Sequence, residues 1–174
     1  SEDGMNLELK GRVAIVTGGS SGIGKEVARV LSQEGCTVAI CARRMANLEE
    51  VAREISSETG GDVLPLFCDT GDMAAVSAMV DATISRFGRV DILVNSAAAP
   101  SGVVRNDIEH AGDQELLADL DTKVVGYFRC AKAVAPHMRR AGFGRIINIG
   151  GLTGRASKVI SGMRNLAVAH LTKT

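Results

Sequence analysis

Short apolar runs alternate with segments of helical periodicity along this chain, and this alternation constrains its fold most. The runs are continuous in aliphatic and β-branched residues, as in strands buried on both faces of a parallel sheet. The sequence predicts strands at 12–17, 37–41, 63–68, 90–95 and 144–149. It predicts helices at 23–33, 45–57, 73–87 and 114–140, the last one broken near its start. Because the connections are short, we expect right-handed βαβ units and an α/β, doubly wound, Rossmann-like parallel sheet.

Two details refine this prediction. Pro65 lies inside the third predicted strand, and since proline cannot donate a ladder hydrogen bond, that strand is expected at an edge of the sheet. The loop at 97–113 is the longest irregular segment and follows the carboxyl end of a strand, where such sheets bind ligands.

Size and charge restrict the classes of partner. The 174 residues are 45% hydrophobic, which suits one domain. We assign 1–6 to an N-terminal tail and 7–174 to an α/β domain. Twenty acidic and twenty basic side chains give a formal net charge of zero, which removes the electrostatic argument for nucleic acid or an anionic membrane as a partner. No run approaches a transmembrane length, so we expect neither partner.

The cysteines and histidines predict no metal site. The four cysteines form no C-x-x-C pair and the three histidines are isolated, whereas a metal site needs clustered ligands. Buried, reduced thiols are typical of a cytoplasmic protein, which is the location that we expect.

A glycine-rich segment, TGGSSGIG at 17–24, lies between the first predicted strand and the first predicted helix. Glycine permits a tight turn and a close approach of the backbone to a ligand. The helix that follows directs free N–H groups at whatever lies in front of it. Because strand and helix flank the glycines, the segment predicts a pyrophosphate site more strongly than a simple turn. The candidate cofactor-binding residues are Gly18, Ser20, Ser21, Gly22, Ile23 and Gly24.

The residues after the second predicted strand indicate which dinucleotide binds. An NAD site usually has an acidic residue there for the ribose 2′-hydroxyl, but this chain has Arg43 and Arg44. A guanidinium would pair with a 2′-phosphate. We therefore predict NADP, with NAD possible. The alternative is that both arginines are solvated residues at the start of a helix.

The T-G-x-x-x-G-x-G spacing of 17–24 resembles that of the short-chain dehydrogenase/reductase family. Cys68-Asp69-Thr70 is similar to the family's adenine-contacting turn, and Asn95-Ser96-Ala97-Ala98 is similar to its N-N-A-G motif. The segment at 126–138 and the following GRIINI resemble the family's long interface helix and fifth strand. The resemblance implies that Asp69, Thr70, Asn95 and Ala97 also bind cofactor, and that the protein is a homodimer or homotetramer.

The resemblance also implies a catalytic set. A Tyr transfers the proton, a Lys one turn later lowers the pKa of that Tyr, a Ser orients the substrate carbonyl and an Asn supports a water relay. When the motifs are aligned, the Ser, Tyr, Lys and Asn positions hold Gly151, Ser161, Asn165 and Lys123. All four residues are replaced, so this chain is divergent where the family does its chemistry.

The Lys and Asn positions look exchanged, which would keep one ammonium and one amide in the same corner. Tyr127, the one tyrosine, follows Lys123 by four residues, so both can share a helix face. A cation there could lower the pKa of the phenol. We hypothesise that Lys123 and Tyr127, beside Ser161 and Asn165, form a relocated acid–base site. The alternative is that Tyr127 packs in a subunit interface and Lys123 fills the corner structurally.

Two functions follow from these patterns. The first is an NAD(P)-dependent oxidoreductase that transfers a hydride between NADP(H) and a carbonyl or alcohol substrate, with an atypical proton relay. The alternative is a non-catalytic dinucleotide-binding pseudoenzyme or sensor. Members of the family continue with strands that complete the sheet and cover the substrate. We expect those C-terminal strands to be missing after Thr174 and the intact protein to be longer.

Overall fold

The computed structural model describes residues 7–98, 107–151 and 158–174. The predicted tail at 1–6 and residues 99–106 of the predicted ligand-mouth loop at 97–113 lie outside the described residues. The strands are β1 (Val13–Thr17), β2 (Thr37–Ala42), β3 (Val63–Phe67), β4 (Ile92–Asn95) and β5 (Arg145–Asn148). They form one sheet in the order β3-β2-β1-β4-β5, with parallel neighbours throughout. The predicted parallel α/β sheet is confirmed.

The helices are α1 (Gly22–Gln33), α2 (Met45–Thr59), α3 (Met73–Phe87), α4 (Asp113–Leu120), α5 (Gly126–Ala141) and α6 (Val159–Leu171). The sequence predicts one long helix over 114–140 with a break near its start. The break is a π-helical turn, Asp121–Val125, which joins α4 to α5. Such wide turns insert a residue into a helix and occur frequently at functional sites.

Both faces of the sheet are covered, which explains why the strands are continuously apolar. Ala14 and Val16 of β1 pack in one buried cluster with residues of α1 and α2. Ile15, between them, packs in a second cluster with residues of α3 and α5. Successive residues of a strand point to opposite faces, so every position of β1 needs an apolar side chain. The fold is therefore doubly wound, as predicted.

The outer strands differ from the central ones. Pro65 lies in β3, opposite Ile40 of β2, and β3 is at one end of the sheet, which confirms the predicted edge position. Strand β5 is at the other end, and Ile146 and Ile147 on its two faces are 36% and 47% exposed.

Among the described helices, none is both long enough and apolar enough to cross a bilayer.

Candidate active site

The candidate site lies at the carboxyl ends of β1, β4 and β5. β1 pairs with β2 on one side and with β4 on the other, so the chain changes direction in the sheet at β1. In open α/β sheets, ligands bind in the crevice outside such a switch point. The loop from β1 to α1 is the glycine-rich segment, which the topology therefore places at the crevice.

The glycines of this loop are required by contacts within it. A β-carbon on Gly24 would lie 2.4 Å from the carbonyl oxygen of Gly18, so α1 can approach the loop this closely only with glycine there. Gly18 has a φ of +69°, and a β-carbon on it would lie 3.0 Å from the backbone of Ala97. The amide of Gly18 donates to the carbonyl of Cys41 at 2.8 Å. The loop is thus fixed between β2 and the segment that follows β4.

The amino end of α1 is open in the way that an anion site requires. The helix begins at Gly22, and the side chain of Ser21 before it makes no capping hydrogen bond. The first N–H groups of a helix have no partner within the helix. Ser21 and Gly22 are exposed, and Ile23 is 62% exposed. The free N–H groups and the positive end of the α1 dipole therefore face a position that suits a phosphate.

The predicted adenine side is also open. Arg43 and Arg44 follow β2 and are exposed, and neither forms an ion pair with another described residue. The carboxylate of Asp69 accepts from the amide of Gly71 at 2.9 Å, which shapes the turn after β3. Thr70 is buried, and its hydroxyl donates to the carbonyl of Thr122 at 3.4 Å. Thr70 therefore holds the turn against the helices and its side chain does not line an open site.

Asn95 and Thr17 connect the strand ends under the site. The hydroxyl of Thr17 accepts from the amides of Ser96 at 3.0 Å and Ala97 at 3.1 Å. Asn95 is fully buried, and its amide donates to the side-chain oxygen of Asn148 at 2.9 Å. Asn95 therefore connects β4 to β5. Thr17 holds the backbone near Ala97 beside the glycine loop.

The second half of the site is a buried corner beside β5. Lys123, in the π-helical turn, is 5% exposed, and its Nζ donates to the carbonyl of Gly150 at 3.4 Å. The same Nζ lies 5.9 Å from the ring centroid of Tyr127. Lys123 and Tyr127 therefore do lie side by side.

An ion pair that the sequence did not reveal completes this corner. Arg164 of α6 donates to a carboxylate oxygen of Asp119 of α4 at 2.8 Å. The Asp119 side chain is 2% exposed. The two residues are 45 positions apart, and no motif spacing relates them.

Tyr127 is unsuited to the role that the sequence suggested. Its ring is fully buried, and its hydroxyl donates to the carbonyl of Ile149 at 3.2 Å. Burial raises the pKa of the phenol, and the cation that opposes this rise is Arg164. The expectation that Lys123 would lower the pKa of Tyr127 is therefore wrong, because the loss of hydration outweighs any nearby positive charge. The interface alternative is also wrong, since the ring lies inside the chain.

The environment of Lys123 brings its pKa near the physiological pH range. Its pKa is lowered to about 8, first by burial and then by the charge of Arg164, while Asp119 raises it. Loss of hydration destabilises an ammonium, and a like charge does the same.

The positions around Gly151 are adapted to one another. A β-carbon on Gly151 would lie 2.8 Å from Nδ2 of Asn165. The Asn165 side chain thus occupies the space that a residue with a side chain would need at 151. Asn165 and Ser161 are buried one turn apart on α6. Ser161 and Asn165, two of the substituted positions, therefore lie together, as the alignment of motifs implied.

The lowered pKa of Lys123 has a measurable consequence for stability. Between about pH 8 and the ordinary lysine value of 10.5, folded Lys123 is neutral while the unfolded chain remains protonated. The unfolded state then binds more protons, so the free energy of unfolding rises with pH across this window. Between pH 8 and 10, we expect the free energy of unfolding of the wild type to rise by on the order of 1–3 kcal/mol relative to that of Lys123→Met. Urea unfolding at several pH values measures it, and parallel curves for the two proteins would contradict it.

Sequence comparison now assigns this architecture to a family. The family model described as short chain dehydrogenase matches residues 12–163. The chain belongs to the short-chain dehydrogenase family. The matched segment includes the glycine loop, Lys123 and Ser161, so the family's cofactor half and part of its catalytic region are both aligned.

This short-chain dehydrogenase is similar to curated proteins and to solved structures. The short-chain reductase protein NovJ of Streptomyces niveus is 37% identical over 158 residues, which are 90% of this chain and 57% of NovJ. L-sorbose reductase from Gluconobacter frateurii, solved with NADPH and L-sorbose, is 32% identical with a TM-score of 0.85, over 96% of this chain and 62% of that one. NAD⁺-bound xylitol dehydrogenase is 25% identical with a TM-score of 0.85, over 94% of this chain and 62% of that one.

The chain spans about half the length of the curated relatives that it matches. The short-chain dehydrogenase fold over this length is shared with enzymes that bind either NADPH or NAD⁺.

Proposed function

We propose that this chain binds NADP(H) and acts as an oxidoreductase on a carbonyl or alcohol substrate, with Lys123 as the proton-carrying group. The observation that carries the proposal is the open amino end of α1, framed by Gly18 and Gly24 and left without a side-chain cap. The cofactors of the two solved relatives support it, since one contains NADPH and the other NAD⁺.

Three segments of the described chain would contact the dinucleotide. The amides of Gly22 and Ile23 would hold the pyrophosphate, and the turn at Asp69 would meet the adenine. Ala97, next to the loop, would lie beside the path to the catalytic corner. When bound, the nicotinamide supplies or accepts the hydride. The protein has to supply the proton and the orientation of the substrate.

Arg43 is proposed to select the phosphorylated cofactor. It is exposed at the end of β2 and free of ion pairs with other described residues. A guanidinium in this position can hold a 2′-phosphate with charge-assisted hydrogen bonds, whereas a 2′-hydroxyl gains little from it.

We expect Arg43→Ala to weaken NADPH binding by about tenfold to a hundredfold and to leave NADH binding within about twofold. Titration calorimetry with each cofactor measures both constants. The matched control is Arg53→Ala, an exposed arginine on α2, which should bind both cofactors as wild type does. An equal loss for NADPH and NADH, or none for NADPH, would overturn the assignment of Arg43.

Lys123 is proposed to hold the proton at Nζ. Its pKa of about 8 is close to the operating pH, which is where a general acid–base group is most effective. The carbonyl of Gly150 accepts one of its hydrogen bonds and so orients the ammonium. Gly151 brings no hydroxyl to the corner, so orientation of the substrate would depend on Lys123 and on the Asn165 amide.

A second candidate function is binding of the dinucleotide without turnover, as in a pseudoenzyme or sensor. It is favoured by the replacement of the family's Ser, Tyr and Lys by Gly151, Ser161 and Asn165, together with the burial of Tyr127. NADPH oxidation by purified protein with a panel of aldehydes, ketones and oxo acids separates the two. Oxidation above the rate of the cofactor alone supports the oxidoreductase, and tight NADPH binding without oxidation supports the pseudoenzyme.

We also propose a homodimer or homotetramer. Exposed apolar side chains lie on α4, on the π-helical turn and on α5, at Leu117, Val125 and Phe128, which are 58%, 37% and 49% exposed. Light scattering should give two or four times the mass of one chain, and a monomer at micromolar concentration would contradict it.

A further inference from the structure

Lys123 carries a buried charge that no carboxylate of the described residues pairs with. Its side chain is only 5% exposed, and no carboxylate lies within 4 Å of Nζ among the described residues. Within the described part of the chain it donates one hydrogen bond, to Gly150, which is long at 3.4 Å, whereas an ammonium has three donors. Buried charges in proteins are normally paired, because an isolated one costs several kcal/mol.

The neighbouring charged groups leave an excess of positive charge. The groups that act on Lys123 are Arg164 from α6 and Asp119 from α4, with the neutral Tyr127 beside them on α5. Arg164 and Asp119 already form an ion pair at 2.8 Å and compensate each other. Two cations and one anion therefore give the corner a charge of +1. Nε of Arg164 is a second buried donor without a hydrogen-bond partner in the described part of the chain.

We propose that this corner binds the carboxylate of the substrate, so that the substrate class is oxo acids and the corresponding hydroxy acids. The inference rests on the proposed oxidoreductase function for its substrate site, but the anion binding that it describes needs no turnover. One anionic group neutralises the corner, which an uncharged ketone or sugar would not do. A phosphate dianion would leave the corner with a net negative charge.

The number of donors on Lys123 favours oxo acids whose carboxylate is next to the carbonyl. One N–H is directed to Gly150, which leaves two for a ligand. In a 2-oxo acid the carbonyl oxygen and a carboxylate oxygen lie side by side, so one ammonium can donate to both. The carboxylate then fixes the substrate, and the second N–H carries the proton that the carbonyl oxygen receives as it is reduced to the alcohol. The hydride would be supplied by the proposed cofactor, NADPH, which would be oxidised to NADP⁺.

The test compares a carboxylate with its neutral methyl ester, which removes the charge and adds one methyl group. Pyruvate and methyl pyruvate are titrated calorimetrically into NADP⁺-loaded protein, in which neither ligand can be reduced. We expect pyruvate to bind at least about tenfold more tightly than the ester, which is the gain expected from one charge-assisted hydrogen bond. Inorganic phosphate is the third ligand, and it should bind more weakly than pyruvate.

Variants identify the responsible group. Lys123→Met, of similar length but neutral, should remove the preference for pyruvate, whereas Lys123→Arg should keep it. Lys132→Met, an exposed lysine on α5, is the matched control and should behave as wild type. Thermal melting checks that each variant folds, and the comparison of the two ligands on wild type needs no variant.

The outcomes separate this inference from the proposed function. Equal binding of pyruvate and its ester, no pyruvate binding, a preference for phosphate, or a preference that survives in Lys123→Met would each overturn the carboxylate site. A pyruvate preference that depends on Lys123 supports the site even where NADPH is not oxidised, and in that case the oxidoreductase proposal alone fails.

Discussion

Lys123→Met is expected to lower the rate of NADPH oxidation by about 10²–10⁴-fold, while NADPH affinity stays within about twofold of wild type. Positioned general acids contribute this much to proton transfer, and the pKa of Lys123 is lowered to about 8. Tyr127, the other candidate, is buried with its hydroxyl bonded to the carbonyl of Ile149. Steady-state rates with saturating cofactor, beside a direct binding measurement, separate the loss of chemistry from a loss of binding.

The direction of the pH dependence follows from the same pKa. Carbonyl reduction needs protonated Lys123, so the wild-type rate should fall as pH rises through about 8. Alcohol oxidation needs the neutral amine and should rise over the same range. Lys132→Met should keep both profiles. A wild-type profile that is flat from pH 7 to 9, or a Lys123→Met enzyme of wild-type rate, would show that another group carries the proton.

Gly24→Ala is expected to weaken NADPH binding by about tenfold to a hundredfold and to lower the free energy of unfolding by about 1–3 kcal/mol. The new methyl group would lie 2.4 Å from the carbonyl oxygen of Gly18. Because that oxygen belongs to the backbone, either the loop or α1 has to shift. The shift displaces the amides that would meet the pyrophosphate. Cofactor titration and urea unfolding measure the two effects.

Gly60→Ala is the control for this substitution. Gly60 ends α2 with a φ of +71°, and a β-carbon there would meet nothing within 4 Å. Its replacement should cost about 1 kcal/mol of stability through backbone strain alone, with NADPH binding unchanged. If Gly24→Ala bound NADPH as tightly as wild type, the glycine loop would not be the phosphate site.

The glycine loop between β1 and α1 could be predicted because its determinants are local in sequence. The strand, the glycines and the helix follow one another directly in the sequence. The steric requirement for glycine in such a loop can therefore be recognised from the sequence alone. Pro65 similarly predicted the edge position of β3. Arg43 was predicted from its place after β2, and its role in cofactor selection stays a prediction.

The corner around Lys123 could be predicted in outline only. The alignment of motifs brought Gly151, Ser161 and Asn165 to one region, and the structure explains why Gly151 and Asn165 occur together. The corner's electrostatics could not be predicted, because they depend on burial and on the ion pair between Asp119 and Arg164, which connects α4 to α6. Spacing placed Tyr127 correctly beside Lys123, but it could not show that the phenol loses its hydration.

The most direct test of the account is a single-turnover measurement with the purified protein. NADPH is bound in stoichiometric amount, pyruvate and a panel of uncharged carbonyl compounds are added, and absorbance of the reduced cofactor is followed from pH 6 to 10. The account predicts oxidation that is fastest with the oxo acid and that, at substrate concentrations below saturation, declines with a midpoint near the free-protein Lys123 pKa of about 8. Stoichiometric NADPH binding with no oxidation by any compound at any pH would contradict it and leave a dinucleotide-binding protein without this chemistry.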